Sequence, residues 1–199
     1  MIGAELPRAL AALFALSAVT AMAQTHLVEG NAGSPVRVVI YEDLQCPDCA
    51  DFRVMLDQKL LPRYGAKVAF EHRDFPLPKH KWARPAAVAA RLFQQQSAAL
   101  GVLWRRETMR DQAQITAETF PAYLGLFAKR SGIDPATAEA ALHDAALNAL
   151  VQKDYAEGVA RGIAHTPTAL VNGAPFIETF PFEEIGAGIE SALKQSGIQ

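Results

Sequence analysis

Val36-Arg37-Val38-Val39-Ile40-Tyr41 is β-branched and almost wholly apolar, the pattern of a strand buried on both faces of a sheet. A helix is expected directly after it. Pro47 suits a first helical position, where a missing N–H costs nothing. Phe52, Met55, Leu56 and Leu60 recur at helical spacing, and Pro62 and Gly65 mark the exit. Lys67 to Arg73 alternates like a second strand. Ahead of this unit, residues 24–34 read as a short exposed lead-in. From about residue 80 to 163 the chain is alanine-rich and helical in period. Breaks near Gly101, Thr116, Pro121 and Gly132 divide it into four or five short helices, and Asp134-Pro135 is a helix start. Thr168 to Val171 reads as a strand, Asn172-Gly173 as a hairpin turn, and Phe176-Ile177 as part of the returning strand. Ile185, Ile189 and Leu193 stripe a closing helix. The order is β-α-β, a helical block, then β-β-α.

Composition narrows the class. Half of the 199 residues are hydrophobic and a fifth are charged, enough apolar material for one globular domain. The net charge of −2 gives no basic surplus for nucleic acid, and no internal repeat or low-complexity linker is present. Arg8, the apolar run Ala9–Val19 and Ala21-Met22-Ala23 read as a secretory signal peptide over residues 1–23, cut after Ala23. The competing reading is an uncleaved anchor, but the run is shorter than the ~20 apolar residues a span requires. The expected product is exported to an oxidising compartment such as the periplasm.

Export makes the cysteines informative. There are two, in Cys46-Pro47-Asp48-Cys49. A bridge over so short a loop constrains the unfolded chain little, so redox or metal chemistry explains the pair better than stapling. Disulfide exchange needs one thiolate that attacks and one thiol that resolves. Cys46 falls at the strand-to-helix junction, where free N–H groups and the helix dipole favour a thiolate. Cys49 lies one turn further in and is expected to be more buried.

Glu42-Asp43-Leu44-Gln45-Cys46-Pro47-Asp48-Cys49 resembles the active-site segment of the DsbA family within the thioredoxin superfamily. Two further stretches carry the likeness. Arg73-Asp74-Phe75-Pro76-Leu77, with His80 behind it, resembles the end of that family's second strand and the start of its helical insert. Thr166-Pro167-Thr168, ahead of Leu170-Val171-Asn172-Gly173, resembles the loop whose proline is cis and faces the active site. The resemblance implies an α/β thioredoxin fold with an all-helical insertion, spanning residues 35–199 with the insert at about 80–163. It implies a protein-disulfide oxidoreductase with Cys46 and Cys49 as catalytic residues and the Cys46–Cys49 disulfide in place of a separate cofactor. It assigns support of the site to Pro47, Asp48, Thr166 and Pro167, with the backbone of Thr166 pairing with substrate. The implied partners are exported cysteine-containing proteins and a membrane or soluble redox protein for recycling, and a monomer is expected.

The sequence departs from better-known relatives at three places. Where those carry a buried acid six positions before the first cysteine, this chain has Ile40, and Glu42 and Asp43 are the acids nearby. Asp48 stands where a histidine would favour a strongly oxidising site; its charge should raise the Cys46 pKa. His165 stands where many relatives have glycine, and could stabilise the thiolate or lie on the surface. Two competing functions remain: a copper or zinc module using Cys46, Cys49 and His165, and a chaperone or binding protein on the same fold. His26, His72 and His143 show no metal-ligand spacing, and neither a phosphate-binding glycine loop nor a Ser–His–Asp set is present. Trp82, Phe93, Leu100, Leu103 and Trp104 are expected in the core of the insert, and Lys79, His80 and Lys81 in a solvated loop or helix start. The direction of electron flow depends on a reduction potential that residue types do not reveal.

Overall fold

The computed structural model describes residues 26–198; the signal-peptide expectation for residues 1–23 lies outside them. A five-stranded mixed sheet has the order β1-β3-β2-β4-β5. The central strand β2 (Arg37–Glu42) pairs in parallel with β3 (Ala69–Asp74) and antiparallel with β4 (Thr168–Val171). The hairpin β4–β5 (Ala174–Ile177) turns at Asn172 and Gly173, both at positive φ, as an Asn-Gly turn requires.

One expectation changes here. Within the supposed lead-in, Leu27–Gly30 forms edge strand β1, antiparallel to β3. Leu27 is buried, and Glu29 turns inward to meet His72 and Arg53. The inward carboxylate hides the strand from any apolar alternation. Gly30 ends it at φ +81, where a Cβ would stand 2.5 Å from the Val68 carbonyl oxygen, so only glycine fits.

The helix after β2 runs as α1 (Pro47–Met55), a π-helical turn (Leu56–Leu60) and α2 (Leu61–Tyr64). Phe52, Leu56 and Leu60 pack it on the sheet beside Val38, Ile40 and Phe70. On the same core sits the last helix, α8 (Phe182–Gln195), through Ile185, Ile189 and Leu193.

Between β3 and β4 lie five α-helices: α3 (Ala83–Gln96), α4 (Ala98–Asp111), α5 (Phe120–Arg130), α6 (Pro135–Ala141) and α7 (Ala145–Ala160). Phe93, Trp104 and Phe127 form their aromatic centre, with ring centroids 4.7–4.9 Å apart. The Trp104 indole N–H donates to the Ala86 carbonyl at 2.9 Å, so the ring is buried without an orphaned donor. Trp82, Phe93 and Trp104 are core as expected, whereas Leu103 is 43% exposed. The break expected at Gly101 falls at Ser97 instead, whose hydroxyl caps α4 by accepting from Leu100 N. Gly101 lies inside α4, where a Cβ would come within 3.0 Å of Gln94. It is a close-packing glycine between α3 and α4. Asp134 and Asp144 cap α6 and α7.

Candidate active site

The site forms where β2 and β4 meet the insert. The two strands are antiparallel, with Tyr41 opposite Thr168. The segment leaving β2 therefore faces the segment entering β4. The first carries Cys46 and the second Thr166. Cys46 is the N-cap of α1, with extended backbone, and Pro47 is the first helical residue. The Cys46 carbonyl accepts from Cys49 N at 3.1 Å and Ala50 N at 3.2 Å, and from the Gln112 side chain at 3.3 Å. Across the gap the Cys46 thiol donates to the Thr166 carbonyl at 3.3 Å. The Thr166–Pro167 peptide bond is cis. Both cysteines are free thiols; Cys46 is 5% exposed and Cys49 1%.

Their acidities diverge. The Cys46 pKa falls from about 9 to about 6. A hydrogen bond from the Cys49 thiol contributes most, burial opposes it, and Thr166 and the backbone N–H groups of Cys49 and Asp48 add to the lowering. Burial pushes the Cys49 thiol well above its usual value, and the neighbouring Cys46 thiolate pushes it the same way. Cys46 is thus the more acidic thiol of the pair, and Cys49 is the one that holds its proton. Acidifying the reduced protein should remove the ultraviolet absorbance of one thiolate with a midpoint near pH 6, and Cys46→Ala should abolish that transition. Because the folded pKa lies below the unfolded one, the thiolate stabilises the reduced protein as pH rises from about 6 towards about 9. That gain is lost as pH falls through 6.

Cys46 lines the floor of an open groove of about 400 Å³, with Cys49 buried behind it. Leu77, Pro78 and Lys79 form one wall, and Ala164, His165 and Thr166 the other, with Asp48 beside Cys46. A slightly larger groove, about 470 Å³, is lined by Arg63, Lys67, Glu190 and Lys194 but holds no thiol. His165 reaches the Cys46 groove, yet its Nδ1 is 2.9 Å from Glu178 Oε1 at an exposed rim. Among the described residues, no three His, Cys, Asp or Glu side chains converge as metal ligands.

Glu42 and Asp43 are both buried and do different things. The Glu42 carboxylate accepts from His72 Nδ1 at 2.9 Å and from Arg105 at 2.8 Å. Burial would raise its pKa, but His72 and Arg105 hold it below the usual range. Asp43 donates its backbone N–H to Cys49 Sγ at 3.4 Å, while its carboxylate takes the Gln45 N–H, the Leu77 N–H and His80 Nδ1 at 2.7–2.8 Å. His80 lies in the loop just ahead of α3, as a loop or helix start predicts, but it is held by a buried acid rather than solvated. Behind Glu42 runs a chain of buried charges that spacing does not disclose. Arg105 also donates to Asp74, Asp74 accepts from Arg91, and Arg91 reaches Asp154. On the other side His72 bridges Glu42 to Glu29, and Glu29 meets Arg53.

A family model described as Thioredoxin matches residues 22–191. Oxidised BdbD from Bacillus subtilis superposes with a TM-score of 0.76 at 25% identity, covering 85% of this chain and 94% of that one. Alpha-DsbA1 from Wolbachia pipientis gives 0.75 at 14% identity, covering 86% and 92%. A thioredoxin-like oxidoreductase from Silicibacter pomeroyi gives 0.70 at 21% identity, covering 86% and 94%. The chain is also 26% identical over 173 residues to Na(+)/H(+) antiporter NhaA 3 of Salinispora tropica. That match takes in 86% of this chain but 25% of the antiporter, so the chain spans about a quarter of that relative's length. With the matched model covering most of its length, and with helices inserted between β3 and β4, the chain belongs to the thioredoxin family and is built on the DsbA-like plan.

Proposed function

We propose that the protein is an exported thiol:disulfide oxidoreductase acting on cysteine-containing proteins through Cys46 and Cys49. The observation that carries this reading is the pairing of a low-pKa thiol at a groove floor with a buried, proton-holding thiol one helical turn behind it. In the oxidising direction a client thiolate attacks Cys46 of the disulfide. The Cys46–Cys49 bond breaks, and Cys49 leaves with the electron pair and takes a proton. A second client thiolate then attacks the mixed disulfide, so Cys46 departs as a thiolate and the client carries the new disulfide. Two electrons stay on the dithiol and pass to a recycling redox protein. Every step runs equally in reverse. The backbone N–H groups of Asp48 and Cys49 at the helix start stabilise the Cys46 thiolate and so the reduced form, which favours oxidation of clients. Among the described residues no helix is long and apolar enough to cross a membrane.

Mixing the oxidised protein with a reduced two-cysteine peptide tests this. One peptide disulfide should form per protein disulfide lost. Equilibration with glutathione should place the potential between the values of about −270 mV for thioredoxin and −120 mV for DsbA. A protein that leaves the peptide untouched and instead carries one copper or zinc ion per chain would refute the reading in favour of a metal module.

Asp48 sets where in that range the site falls. Its charge lies one residue beyond Pro47, in the groove with Cys46, and opposes the thiolate. Asp48→His should lower the Cys46 pKa and raise the potential. About 30 mV corresponds to a tenfold change in the exchange equilibrium, so the shift is measurable against glutathione. An unchanged or more reducing potential would contradict this role.

A further inference from the structure

The turn Leu77-Pro78-Lys79-His80 is closed by the His80 N–H on the Leu77 carbonyl at 3.0 Å. Both of its ends are held by a single atom. Asp43 Oδ2 accepts the Leu77 N–H at 2.7 Å and lies 2.8 Å from His80 Nδ1. A carboxylate oxygen only accepts, so the ring nitrogen is the donor to it. The Asp43 carboxylate is fully buried and the imidazole is 15% exposed. The three residues between the two holds, or at them, are the groove wall: Leu77, Pro78 and Lys79. The same Asp43 touches the resolving cysteine through its backbone N–H. The Asp43 carboxylate takes its hydrogen bonds from Gln45, Leu77 and His80 rather than from either sulfur, so a buried acid ties this turn to the thiol-bearing loop.

We infer that Asp43 and His80 are positioning residues, which fix the Leu77–Lys79 wall against the opposite wall at Ala164–Thr166 so that an extended polypeptide is presented to Cys46. The inference rests on the oxidoreductase reading and adds a determinant of selectivity to it. A client chain occupies the groove between the walls, whereas a small dithiol reaches Cys46 without touching the turn. Loosening the turn therefore penalises the polypeptide and spares the small molecule.

The test compares exchange rate constants of the full-length protein with a cysteine-containing peptide and with dithiothreitol. In His80→Ala the ratio of peptide rate to dithiothreitol rate should fall about tenfold, the scale of one hydrogen bond to a charged group. His80→Asn should restore it, because the asparagine amide nitrogen sits on Cγ where the histidine Nδ1 sits. Pro78→Gly loosens the same wall from its tip and should lower the same ratio with Asp43 and His80 intact, which decides the matter if His80→Ala does not fold. An equal fall with both reductants that asparagine fails to restore would make His80 a proton-transfer group and overturn the inference. An unchanged ratio in the variants would overturn it as well. A wild-type protein that reacts with dithiothreitol but with no cysteine peptide would instead sink the oxidoreductase reading on which it stands.

Discussion

Replacing Asp74 with alanine is expected to destabilise the protein by about 3–5 kcal/mol, the cost of breaking a buried ion pair by removing one partner. Asp74 is 1% exposed, and its two oxygens serve two different guanidinium groups, Arg91 and Arg105, which are themselves 2% and 1% exposed. Burial alone would raise the Asp74 pKa, but Arg91 and Arg105 hold the carboxyl below its usual range. Without it, Arg91 still meets Asp154 and Arg105 still meets Glu42, but the buried chain of charges loses one of its carboxylates. With domain stabilities of about 5–15 kcal/mol, such a loss consumes a large share of the total. Urea unfolding measures it as a fall in the midpoint at constant slope. A loss below about 1 kcal/mol is the range of an exposed pair and would contradict the burial and connectivity described for this chain of charges.

The same chain of charges has a pH signature. Glu29, Glu42 and Asp74 titrate below their usual values of 4.5, 4.5 and 3.8. Their contribution is present above those values and is lost as pH falls through the lowered ones. His72 works with the opposite sign. Burial would lower its pKa, but Glu42 and Glu29 raise it above 6.5. Its contribution is complete below 6.5 and is lost as pH rises through the raised value. The network is therefore at full strength between the carboxylate range and about pH 6.5.

Local order was readable where one residue type sufficed to specify it. Pro47 marks the helix start, Ile40 and Tyr41 on opposite faces mark a strand covered on both sides, and Asn172-Gly173 marks the hairpin. The cysteine spacing at a strand-to-helix junction located the thiols for the same reason. What stayed hidden depends on contacts between distant positions. His26 meets Asp154 across 128 residues of sequence, and Arg105 meets Glu42 across 63. In the helical period Arg91 and Arg105 count as polar-face residues, although both are buried. Glu29 obscured β1 by the same rule. Gly101 looked like a breaker because its neighbour Gln94 belongs to another helix, and His80 looked solvated because Lys79 and Lys81 flank it. Buried polar partners, rather than apolar period, separate the observed fold from the expected one.

The assignment of chemistry to the two sulfurs meets its most direct test in trapping. Cys46 has the acidic thiol and faces the groove, and Cys49 is buried behind it and retains its proton. In Cys49→Ala, attack by Cys46 on a client disulfide leaves a mixed disulfide that no internal thiol can resolve. Such adducts should accumulate on a non-reducing gel and disappear on reduction. In Cys46→Ala they should be absent, because the remaining thiol is buried and protonated near neutral pH. Adducts that form through Cys49 when Cys46 is missing, or that fail to form in Cys49→Ala, would contradict the account.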